Sequence, residues 1–357
     1  MPTPMPLSPP RRNTSIDALR LVAALGVIAL HAGRYPEWPA LAGDLWTSAF
    51  RWAVPFFLAL SGYYLADSER RFAKITLPRI TRICVIFALV WVLYLPVQVW
   101  RGGIGSIDIE TLIRGSYFHM WFLSAMVMGF LANAALAEVK AFRLAIALSL
   151  LILFANIAAG YINLLRPGRF GDTVVTLRQL TGLPCLMAGV ALHRLTHWQG
   201  RHFLAILALG MASCLAEVLV CHRLGLRAMD LQWGLHVPLI TLGLLGTALR
   251  WPDLAPRWMA RWGLRDSLTL YLLHPLALLL VAALWTGHPV KWLPPDLPGL
   301  LLWASASVIT VLAAAIIAKL PLLNAFMNGD LSRLLAPTKR TATDAHRAEH
   351  GQRNSPP

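Results

Sequence analysis

The chain has 357 residues, of which 57% are hydrophobic and only 14% charged, and it carries 14 tryptophans and a formal net charge of +15. Soluble domains carry about 25% charged residues, so the repeated long apolar runs exclude the pair of soluble domains that length alone suggests and identify an integral membrane protein. The arginines are dispersed between apolar runs and form no basic face, which excludes nucleic acid as a partner.

Residues 1–14 are rich in proline, contain Arg11-Arg12, and read as a disordered N-terminal tail. Residues 15–320 are the expected multi-spanning domain. Apolar runs lie at 16–33, 47–66, 83–100, 119–138, 142–160, 176–193, 202–221, 232–249, 267–286 and 299–318. Each is close to the ~20 residues that a membrane-spanning helix requires. The expected fold is an all-α membrane protein of about ten transmembrane helices. The sixth run is interrupted by Arg178, Gln179 and Pro184. Residues 321–357 are expected to form a cytoplasmic, largely disordered tail. With the N-terminus inside, the inner segments hold about twice as many Lys and Arg as the outer ones, which puts both termini in the cytoplasm. Asp17 and Arg20 lie inside the first run, so it is expected to be retained as a helix and not removed as a signal peptide.

That first run holds Arg20 and His31, eleven positions apart. Eleven residues make about three turns, so both lie on one helical face, roughly 16 Å apart along the axis. A guanidinium within an apolar span costs on the order of 3 kcal/mol unless it faces protein or water. Asp17, one turn earlier, can pair with Arg20; snorkelling to the inner headgroups is the alternative. A neutral imidazole at His31 suits general-base work on a hydroxyl, while a water-bonded histidine at the outer boundary fits the spacing equally.

Pro78 can open the third helix, placing Arg79 and Arg82 one turn apart at its inner mouth. Two guanidiniums on one face suit phosphates; ordinary positive-inside charge is the alternative. Ser61 and Gly62 read first as close-packing small residues. Trp121 reads as part of an aromatic belt. In Tyr271-Leu-Leu-His274-Pro275, the proline frees the carbonyl of Tyr271. His274 is then either a site residue or a core histidine that satisfies that carbonyl. Glu217 and His236 are further intramembrane ionisable groups, either of which can orient an imidazole; structural pairing is expected for both. The four cysteines, Cys84, Cys185, Cys214 and Cys221, show no metal-ligand spacing and read as buried thiols, and no metal is expected.

In order and spacing, Ile16-Asp-Ala-Leu-Arg…His31, Phe56-Phe-Leu-Ala-Leu-Ser-Gly-Tyr63, Arg79-x-x-Arg82, Trp121-Phe-Leu123 and Tyr271-Leu-Leu-His274 resemble the acyltransferase-3 family over about residues 15–320. The resemblance implies a bacterial inner-membrane enzyme that O-acylates surface glycans. It implies acetyl-CoA or another acyl-CoA as donor on the cytoplasmic side. The implied acceptor is a hydroxyl of a glycan or lipid-linked oligosaccharide. By motif match, Arg20 and His31 are carried over as essential, and Arg79 and Arg82 as donor-handling. Asp17, Ser61, Trp121, Tyr271 and His274 stand as supporting residues. The resemblance implies exopolysaccharide or lipopolysaccharide O-acetylation, with polysaccharide-synthesis machinery as a further partner. The alternatives are a polyprenyl-linked sugar transporter and a non-catalytic membrane partner of a polysaccharide synthase.

Overall fold

The computed structural model describes residues 12–66, 76–167 and 178–330. Among these the protein is all-helical. In chain order come α1 (Thr14–His31), α2 (Ala40–Ser48), α3 (Ala53–Ala66) and α4 (Leu77–Gly102). The short α5 (Ile109–Arg114) precedes α6 (Trp121–Glu138) and α7 (Phe142–Leu165). The second half holds α8 (Gly182–Arg194), α9 (Gly200–Arg223), α10 (His236–Arg250) and α11 (Arg257–Thr286). It closes with α12 (Gly299–Lys319) and α13 (Pro321–Asn328).

Seven helical segments among the described residues are long and apolar enough to cross a membrane. The three other runs give shorter helices: α3 has 14 residues, α8 has 13 and α10 has 15. At 1.5 Å per residue these reach only about 20–22 Å, short of the ~30 Å hydrocarbon core. In each case part of the apolar run is spent on turns. The chain breaks at 49–52 before α3, at Thr181 before α8, and at 231–235 before α10. Hydropathy averages over those breaks because they are short and most of their residues, such as Phe50, Trp52, Leu231 and Trp233, are apolar.

The start of α1 is anchored by specific polar contacts. The Asn13 side chain accepts from the Ile16 amide at 2.9 Å, satisfying an otherwise orphan N–H. Its amide donates to the Ala248 carbonyl at 2.8 Å, and Ser15 Oγ donates to Trp251 O at 2.5 Å. The helix entrance is thereby fixed to the end of α10. Pro78 lies in the first turn of α4, where its missing N–H costs nothing.

Helix α1 packs most extensively on α11, and α3 on α8. The spanning windows of α1 and α11 are 61% and 56% buried by protein, against 17% for α4 and 22% each for α9 and α12. The two site-bearing helices are therefore central, and the others present broad apolar faces outward. Small residues set the spacing. A Cβ at Gly263 of α11 would fall 1.7 Å from the Asp17 carbonyl oxygen. At Gly62 of α3 it would fall 2.0 Å from the Leu186 carbonyl oxygen of α8, so the packing role expected of Gly62 holds.

Packed structure continues past residue 320: α13 lies on α12 and α4 and buries Ala325 and Met327. The tail expected from 321 thus begins with an ordered helix, whose apolar residues seal the end of α4. Residues 1–11 and 331–357, the remaining parts of the two expected tails, lie outside the described residues.

Gly263→Ala is expected to lower stability by about 1–3 kcal/mol through overpacking. Gly105→Ala, where nothing lies within 4 Å, is expected to be neutral. Thermal unfolding of the two purified variants in one detergent makes the comparison.

Candidate functional site

Two cavities meet at Tyr271. The larger, about 550 Å³, opens at the Arg20 end of α1. Its mouth carries Arg20, Arg79, Arg82 and Arg265, and its inner wall includes Leu60, Phe122, Met126 and Phe130. Ser61 also lines it; its hydroxyl donates to the Phe57 carbonyl at 2.8 Å, so it is satisfied within its own helix. Arg20 Nη1 donates to Asp17 Oδ1 at 3.0 Å, and Arg12 Nε donates to Asp17 Oδ2 at 2.6 Å. The expected Asp17–Arg20 pair is present, and it aims the guanidinium along α1. Arg265 is held by Asp266 at 2.8 Å. Arg79 and Arg82 meet only neutral groups among the described residues. Arg79 approaches the Tyr64 carbonyl at 3.4 Å, while Arg82 Nε donates to the Asn328 carbonyl at 2.7 Å. Both keep charge available for an anionic ligand.

The second cavity, about 240 Å³, lies at the His31 end. His31, Trp121, Trp233, Arg51, Arg178 and Gln232 line it, together with Tyr271. Arg178 sits over the Trp121 ring at 5.5 Å and donates to the Gln232 side-chain oxygen. Trp121 is thus a wall of this cavity, beyond the aromatic-belt role that its sequence position suggests.

The His31 ring stacks on His274 at 5.3 Å and meets Phe118 at 4.6 Å. Among the described residues its ring nitrogens have no hydrogen-bond partner. His274 is fully buried, and its Nδ1 lies 2.6 Å from the Tyr271 carbonyl, the acceptor freed by Pro275. A carbonyl only accepts, so Nδ1 carries the proton and Nε2 is left with a lone pair. That Nε2 is enclosed without a partner among the described residues. His274 therefore satisfies the freed carbonyl, as one of the two sequence readings expects, and its ring also lies against His31. Tyr271 donates to the His119 carbonyl at 2.5 Å, which fixes its ring between the cavities.

His119, Arg51, Arg178 and Gln232 were not singled out by sequence reasoning as site residues. Their signal was present: His119 and Arg178 are ionisable groups within apolar runs. Folding separates Glu217 and His236 from this centre. They bond to each other at 2.5 Å, and Glu217 also accepts from Tyr161 at 2.8 Å and Ser213 at 3.0 Å. This is the structural pairing expected of them. No group of three or more His, Cys, Asp or Glu among the described residues is arranged to hold a metal ion.

Comparison with known proteins bears on this pair of cavities. The acyltransferase-3 family model, described as an acyltransferase domain, matches residues 13–319. The chain belongs to the acyltransferase-3 family. Within this family the arginine-lined mouth and the His31 centre both fall inside the matched domain. The matched domain also contains the helical segments that, among the described residues, are long and apolar enough to cross a membrane. Partial similarity also links it to a serine/alanine racemase of Enterococcus gallinarum, 28% identical over 33% of this chain and 19% of that protein. An amino-acid racemase of Enterococcus faecalis is 27% identical over 39% of this chain and 21% of that protein. The chain thus spans about a fifth of the length of these curated relatives. No solved structure matches.

The two histidines separate by stability. His274→Leu keeps bulk but leaves the Tyr271 carbonyl unpartnered, and is expected to cost about 1–3 kcal/mol. His31→Leu, which has no hydrogen bond to lose among the described residues, is expected to cost less. Thermal midpoints in detergent measure the difference.

Proposed function

We propose that this protein is an acyl-CoA-dependent O-acyltransferase of the bacterial inner membrane. It moves an acyl group, acetyl in the simplest case, to a hydroxyl of a cell-surface or exopolysaccharide sugar, free or lipid-linked. One observation carries this reading: a file runs from an arginine-lined mouth to the His31 imidazole, its two cavities sharing Tyr271. The arginines suit the phosphates of coenzyme A, and the apolar wall beyond them suits its pantetheine arm.

In this scheme both termini are cytoplasmic, and all ten apolar runs contribute membrane-embedded helices, α3, α8 and α10 being sheltered by longer neighbours. Arg79 and Arg82 take the phosphates, while Arg20, aimed by Asp17, positions the donor chain. The acceptor hydroxyl enters the second cavity. His31 takes its proton as the oxygen attacks the thioester carbonyl. The new C–O bond forms, the C–S bond breaks, and the proton passes to the departing thiolate. His274, with Nδ1 committed to the Tyr271 carbonyl, holds the His31 ring in place by stacking. Tyr271 keeps donor and acceptor spaces in register. A transporter without chemistry would move the sugar and leave no acyl product.

Inverted membrane vesicles given radiolabelled acetyl-CoA are expected to label endogenous glycan. His31→Ala, at equal membrane level, is expected to lose about 100-fold or more of that transfer; wild-type labelling would refute the assignment. Arg79→Ala with Arg82→Ala is expected to raise the KM for acetyl-CoA about tenfold or more and to leave the acceptor KM unchanged. Equal loss on both would count against the donor role.

A further inference from the structure

The cavity beside His31 holds more positive charge than the transfer chemistry needs. Arg51 and Arg178 both line it, and neither is paired with a carboxylate among the described residues. Arg51 donates to the Met229 carbonyl, and its Nε is enclosed without a hydrogen-bond partner among the described residues. Asp44 lies on the neighbouring α2, but it is already held by Arg227 at 2.8 Å and by the Ala228 amide at 2.8 Å. Asp230 is exposed to the outside. Among the described residues Arg178 is steadied by neutral groups, the Gln232 amide oxygen and the Trp121 face.

An enclosed guanidinium at Arg51 and a second, partly exposed one at Arg178, both facing neutral partners among the described residues, are costly as a resting arrangement. They become favourable when an anion enters, because each fork matches the paired oxygens of a carboxylate or phosphate. Trp121 and Trp233 add flat apolar faces to the same cavity, suited to the ring of a sugar. His31 completes the wall, so a bound acid group and a neighbouring hydroxyl can be reached together.

We infer that Arg51 and Arg178 form an anion subsite, and that the acceptor carries an acidic group, a carboxylate or a phosphate, beside the hydroxyl that is acylated. This rests on the acyl-transfer reading and narrows its acceptor class. Arg51 and Arg178 set specificity; His31 performs the proton transfer.

Isothermal titration of the purified full chain in detergent tests the subsite, with glucuronate, glucose 1-phosphate and glucose as probes. At least one acidic probe is expected to bind about tenfold or more tighter than glucose. The stronger of the two tells whether carboxylate or phosphate is preferred. Arg178→Gln and, separately, Arg51→Gln are expected to weaken that probe about tenfold or more, and Arg178→Lys to restore only part of the loss. Acetyl-CoA affinity serves as the folding control in each variant. Equal binding of glucose, no binding of either acidic probe, or unchanged acidic-probe affinity in both Gln variants overturns the inference. Failure of the wild-type protein to bind acetyl-CoA overturns the donor reading instead, so the two failures are distinct.

Discussion

The close approach of α11 to α1 is the constraint on which the site depends. Gly263 lies so near the Asp17 carbonyl oxygen that no side chain fits between the helices. At that separation the two helices share a long seam. Arg20 and Arg265 then fall at one end of it, and His31 and His274 at the other. A wider gap would move His274 off the His31 ring and open the floor beneath Tyr271.

The second constraint is the cost of polar groups in an apolar interior. Pro275 strips an intrahelical bond from the Tyr271 carbonyl, and His274 Nδ1 returns one. The exchange leaves the imidazole in one tautomer with its other nitrogen unpartnered among the described residues. Tyr94 donates to the next carbonyl, Leu272, at 2.7 Å. The turn that Pro275 interrupts is therefore held by the side chains of His274 and Tyr94. The same accounting sorts the arginines. Arg265 is paired with Asp266, and Arg20 and Arg12 share Asp17, whereas Arg51, Arg79, Arg82 and Arg178 face neutral partners among the described residues.

Much of the fold and site is legible in the chain. A three-turn spacing on one apolar run places Arg20 and His31 on a common face whatever surrounds the helix. The Asp17–Arg20 pair, the opening of α4 at Pro78 and the carbonyl freed by Pro275 are local consequences of helix geometry, and each is present. The lengths of α3, α8 and α10 were less legible, because short breaks in mostly apolar sequence look like helix to a hydropathy pattern. Arg51 and Arg178 were also missed as cavity residues. They stand far apart in sequence, and each alone resembles a charge at a span border.

The sequence by itself determined an all-helical membrane protein, the Arg20–His31 line and the residues able to join it, since these follow from hydropathy and a period of 3.6. Only the tertiary structure decided that α1 lies against α11, that Tyr271 stands where two cavities meet, and that Glu217 and His236 pair elsewhere. The reason is physical: helix periodicity fixes which side chains share a face, but which face meets which is set by close packing among small residues and by the need to satisfy every buried polar group.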